Sequence, residues 1–131
     1  MNVRKGQLTA EYLFLALVSL ALIAISLGAL SKIQDAGKRV SHLELFKSSS
    51  LDIYNAGEEV CAMGSGNTMR LKISENVSIS RGEGGRTVFS NQILNVSVPK
   101  KTLCEYSGYE ALSGSEITVA NEGGTITLSP A

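Results

Sequence analysis

Residues 12 to 30, YLFLALVSLALIAISLGAL, carry no charge and no proline, and this run limits what the chain can become more than any other feature. As a helix rising about 1.5 Å per residue it spans roughly 28 Å, close to the hydrocarbon thickness of a bilayer. A secretory signal peptide has a shorter apolar region, about 7 to 15 residues, and then a small-residue cleavage site. Here the helical spacing continues instead. Ile33, Ala36, Val40, Leu43, Phe46 and Tyr54 recur mostly three or four apart, and Lys32, Asp35, Lys38, Arg39, Glu44 and Lys47 fill much of the rest. No proline occurs before Pro99, and the first strong stop is Gly64-Ser65-Gly66-Asn67. The spacing predicts one helix from about residue 7 to about residue 62, hydrophobic all round in its first half and amphipathic in its second. Gly37, Gly57 and Ser48-Ser49-Ser50 mark the places where it would bend or break. Small residues stud the apolar half (Ala10, Ala16, Ser19, Ala21, Ala24, Ser26, Gly28, Ala29). Ala24 and Gly28 have the small-xxx-small spacing that lets helices approach closely.

From Met69 the period changes to two. Met69, Leu71 and Ile73 alternate with Arg70, Lys72 and Ser74, and Val77 and Ile79 continue the pattern. Gly82-Glu83-Gly84-Gly85 reads as a turn, lacking the Gly-Lys-Ser/Thr ending of a phosphate loop. Thr87 to Phe89 and Ile93 to Val98 read as strands before Pro99, and Leu103 to Tyr106 as another. Ile117 to Val119 and Ile126 to Leu128 flank Asn121-Glu122-Gly123-Gly124, a hairpin signal. The expected fold is α+β: a long N-terminal helix with a head of five to seven short strands over residues 63–131, antiparallel or a small sandwich. A β-domain this small buries only about 60% of its unfolded surface and is marginal alone. The sheet is therefore expected to wrap Val40, Leu43, Phe46 and Tyr54 of the helix.

Charge excludes some functions. Twelve basic and twelve acidic side chains give a net charge of zero, aromatics are 5% and Trp is absent, so neither a basic footprint nor a stacking platform for nucleic acid exists. One histidine, no Gly-x-Ser-x-Gly elbow and two cysteines outside any C-x-x-C pair leave no basis for catalysis, a cofactor or a metal site. Lone His42 is expected to be solvated, and Lys100-Lys101 to be a solvated loop.

Just before the apolar run stands Arg4-Lys5-Gly6-Gln7-Leu8-Thr9-Ala10-Glu11-Tyr12-Leu13. This segment resembles an archaeal class III signal peptide of the type IV pilin-like proteins, whose mature chain begins Gln-x-Ser-x-Glu; Thr9 here replaces the serine and keeps the hydroxyl. The likeness is close over residues 4 to 13, extends by architecture over the helix, and covers only the general plan beyond residue 62. It implies a leader over residues 1–6, cut by a prepilin peptidase between Gly6 and Gln7 on the cytoplasmic side. Arg4 and Lys5 would hold that leader against anionic lipid. It further implies a subunit held in the membrane through residues 12–30, then assembled with copies of itself by an assembly ATPase and membrane platform into an extracellular pilus that serves adhesion. Glu11 would attract the new ammonium of a neighbouring Gln7 and set axial register; as a single chain it simply favours the helix dipole. Lys32, Lys38 and Arg39 follow the apolar run, so basic residues alone do not orient the helix.

With an extracellular head, Cys61 and Cys104 are expected to form a disulfide; otherwise they are two buried thiols. Asn76-Val77-Ser78 and Asn95-Val96-Ser97 match the N-glycosylation acceptor pattern. Two other readings stand beside the filament subunit. One is a single-pass anchored binding module that does not polymerise. The other is a secreted β-domain released near residue 30.

Overall fold

The computed structural model describes the backbone from Val3 to Ala131 and the side chains from Thr9 onward. Helix α1 runs unbroken from Val3 to Met63. It begins earlier than the expected residue 7 and shows no break at Gly37, Ser48-Ser49-Ser50 or Gly57. Its end is the predicted one: Gly64 takes the left-handed conformation (φ 93°), and the Asn67 amide donates to the carbonyls of Met63 and Gly64.

Eight strands follow: β1 (Thr68–Lys72), β2 (Val77–Arg81), β3 (Arg86–Asn91), β4 (Val96–Lys101), β5 (Glu105–Tyr106), β6 (Tyr109–Ala111), β7 (Glu116–Glu122) and β8 (Thr125–Pro130). They form two four-stranded sheets, ordered β1-β7-β8-β5 and β4-β3-β2-β6. All pairs are antiparallel except β5 with β8. The predicted hairpin is β7–β8, turning through Gly123 (φ 64°) and Gly124 (φ 92°), where only glycine adopts both angles without strain.

Several expectations need correction: the described strands number eight rather than five to seven, and Lys100-Lys101 lie in β4 rather than in a loop. Pro99 does not end a strand: it lies inside β4, opposite Val88, and residues 92 to 95 form a turn, so the strand expected over Ile93 to Val98 begins only at Val96. β4 is an edge strand, the place in a sheet where proline is tolerated. The helix stripe that meets the head includes Phe46, with Tyr54 packed against the core as expected, but leaves out Val40. Val40 is 57% exposed and Leu43 half-buried, whereas Phe46, Ser49, Ser50, Ile53, Ala56, Gly57 and Val60 are buried. Val40 precedes Phe46 by six residues, roughly 120° around a helix of 3.6 residues per turn, and so falls off the stripe.

The backbone forms two compact units, Met1–Lys38 and Arg39–Ala131. In the second, the buried helix stripe packs with Ile73 of the β1–β2 loop and with Val77, Ile79, Phe89, Tyr106, Ala111, Ile117, Val119, Ile126 and Leu128 from the two sheets. At about 1.5–3 kcal/mol per fully buried large apolar side chain, this shared core explains how so small a β-domain is held together.

Candidate functional site

The first unit holds an exposed apolar surface, with a shallow open depression lined by Ala10, Glu11, Phe14 and Leu15. Every large hydrophobic residue of the run is exposed, from Tyr12 at 71% to Leu30 at 52%, and none of its most apolar window is buried. The length and composition of this stretch suit a membrane span. The serine hydroxyls here are satisfied within the helix: those of Ser19 and Ser26 donate to the carbonyls of Leu15 and Leu22 at 2.8 Å, and that of Ser31 to Gly28 at 3.0 Å. Such bonds remove the penalty that free hydroxyls would carry in hydrocarbon. A Cβ placed at Gly28 would meet nothing within 4 Å, so the chain itself makes no use of that small surface.

Glu11 and Thr9 are exposed on the same helix, Glu11 at the edge of the apolar stretch. The side chains of Arg4, Lys5 and Gln7 lie outside the described residues, while the backbone of the junction is part of α1.

In the second unit, Cys61 and Cys104 are joined by a disulfide, with Cα atoms 6.0 Å apart. It is one of several ties between the helix and a strap over residues 100–106. Glu58 accepts from the Leu103 amide at 3.0 Å, the Tyr54 hydroxyl donates to the Lys101 carbonyl, and the Lys100 ammonium stands 5.5 Å from the Tyr54 ring. Tyr106 then lies across Gly57 and donates its hydroxyl to the Tyr54 carbonyl. A Cβ at Gly57 would overlap that phenol, so this glycine is a contact position and not a bend. Burial, with Glu58 and Tyr54 nearby, pushes the Tyr106 phenol above its ordinary range and keeps it a neutral donor.

His42 is not merely solvated: its Nδ1 stands 2.6 Å from Glu75 Oε2, although its side chain is 57% exposed. Glu75 is buried in the β1–β2 loop, its amide donates to the Ser49 hydroxyl, and its Oε1 accepts from the Asn76 amide. Burial raises the Glu75 pKa, but bonds from His42, the Asn76 backbone and Asn91, with the His42 charge, outweigh it and leave the carboxyl below its ordinary value. Ser49 also accepts from Ser74, so the serine run anchors the loop. Asn121, likewise unforeseen, donates to the Val60 carbonyl and accepts from Gly124, joining the helix end to the hairpin.

The two acceptor patterns differ in setting. Asn76 is half-buried, while Asn95 is exposed in a turn with φ 53°. A cavity of about 270 Å³ is lined by Lys47, Ser50, Leu51, Phe89, Val98 and Lys100, with apolar walls and no nucleophile–base pair. Among the described residues, no group of three or more His, Cys, Asp or Glu is placed to hold a metal. Comparison with models of protein families, with curated proteins and with solved structures finds no match to this chain.

Proposed function

We propose that the chain is the structural subunit of an extracellular type IV pilus-like filament that serves attachment, not catalysis. The observation that carries this reading is the exposed, uncharged helix surface over residues 12–30 directly behind the junction Arg4-Lys5-Gly6-Gln7-Leu8-Thr9-Ala10-Glu11. Such a surface requires an apolar environment. A bilayer supplies it first, and the same helices of other copies supply it after assembly. Cleavage by a prepilin peptidase between Gly6 and Gln7 gives the mature chain an ammonium beside an apolar helix. Glu11 of a neighbouring copy is a suitable partner, because a carboxylate near lipid is unfavourable until it is paired. The disulfide fits a head facing an oxidising exterior.

The intact mass of the protein from its own cells tests the reading. Loss of residues 1–6, with filaments visible by electron microscopy, is the expected result. A full-length chain dispersed singly in the envelope would overturn it in favour of an anchored binding module. Glu11→Ala is expected to be cleaved normally and to lose filament yield; intact yield would remove the register role of Glu11.

A further inference from the structure

From the folded geometry we infer that Asn95 is an N-glycosylation site and that Asn76, with the same Asn-Val-Ser pattern, is not. The inference rests on the reading of an outward-facing head. The chemistry is transfer of a sugar from a lipid-phosphate-linked donor. The acceptor amide nitrogen forms a bond to the anomeric carbon, the bond from that carbon to the donor phosphate oxygen breaks, and the amide proton goes to base. The lipid phosphate leaves with the electron pair. A transferase acting on a folded chain must grip the whole acceptor carboxamide and lay the next two residues along its own surface.

Asn76 offers neither. Its Oδ1 accepts from the Ser113 amide at 2.7 Å, its own amide donates to Glu75, and its carbonyl accepts from the buried Asn91 side chain at 2.9 Å. Val77 is fully buried. Ser78 is half-buried in β2, a central strand paired with β3 on one side and β6 on the other. Presenting this segment would require taking apart one whole sheet.

Asn95 meets both requirements. It is exposed, and its side chain makes no hydrogen bond among the described residues. Its left-handed backbone turns the chain sharply at the start of β4. Val96 and Ser97 follow on that strand, which pairs with β3 alone and leaves its other backbone edge open. Ser97 is exposed as well, so the hydroxyl of the pattern can be read in place.

Peptide mass spectrometry of the protein purified from its own cells decides the matter. The expected result is one glycan per chain, on the peptide containing Asn95, with the Asn76 peptide unmodified. Ser97→Ala should remove the whole glycan mass, while Ser78→Ala, which touches none of Asn76's hydrogen bonds, should leave it unchanged. A glycan on Asn76, or none on Asn95, overturns the inference. The N-terminus measured in the same sample keeps the two proposals apart. A trimmed chain bare at Asn95 sinks this one alone, and an untrimmed chain glycosylated at Asn95 sinks the filament alone.

Discussion

The two halves of one helix solve opposite problems. In residues 12–30 the large side chains are exposed, and the serine hydroxyls are closed onto the helix's own carbonyls. In residues 46–60 a narrow stripe is buried, and the polar groups reach outward to other elements: Ser49 to the β1–β2 loop, Glu58 to the strap. The first half is self-sufficient in hydrogen bonds and deficient in apolar contacts. The second half has its apolar contacts and is indispensable to its neighbours' hydrogen bonds. Substitutions should therefore act on folding in the second half and on association in the first.

The largest effect on folding is expected at the disulfide. Its sequence separation of 43 puts the chain-entropy contribution on the order of 4 kcal/mol. Cys104→Ser should lower the denaturation midpoint of the head correspondingly, measured by chemical unfolding. An unchanged midpoint would mean that the other strap contacts suffice.

Next comes Gly57→Ala. Alanine favours a helix by about 1 kcal/mol over glycine, yet the methyl group would overlap Tyr106, and overpacking of this kind costs about 1–3 kcal/mol. Net destabilisation is expected, and in a Tyr106→Leu background the same change should become neutral or favourable. Sign reversal between the two backgrounds checks the contact directly.

A smaller effect is expected at Glu75. Its folded pKa lies below the ordinary value of 4.5, so its contribution is complete above that pH and is lost as pH falls through the lower folded value. Glu75→Gln should flatten that part of the acid-unfolding curve and cost about 1 kcal/mol at neutral pH, low in range because water screens the exposed His42. A variant as acid-sensitive as the parent would assign that sensitivity to other groups.

Much of this division was legible in residue order. Period and punctuation found the helix, its glycine stop and the β7–β8 hairpin, because each depends on local chemistry. What stayed hidden depends on distant partners. β6, of three residues, is too short to show a period, and although β5 falls inside the strand expected over Leu103 to Tyr106, its parallel pairing with β8 has no local signal. Whether Pro99 ends a strand or lies in one depends on its being at a sheet edge. Apolar spacing showed that the second half of the helix had a buried face, but placed Val40 on it, since nothing local marks where the head begins.

The smallest expected effect on folding separates the halves most sharply. Gly28→Leu adds a large side chain where a Cβ meets nothing within 4 Å, and leucine favours the helix over glycine. The head's unfolding midpoint should therefore be unchanged, within about 0.5 kcal/mol, the usual range for a surface substitution. On the proposed filament, yield should fall, because a leucine at a small-xxx-small position holds neighbouring helices apart. An unchanged midpoint with lost filaments assigns the Ala24–Gly28 surface to contacts between chains. A changed midpoint would show that the apolar half does contribute to the head's stability, and the contrast between the two halves would fail. Unchanged filaments would leave this surface facing no other helix, as a simple membrane anchor requires.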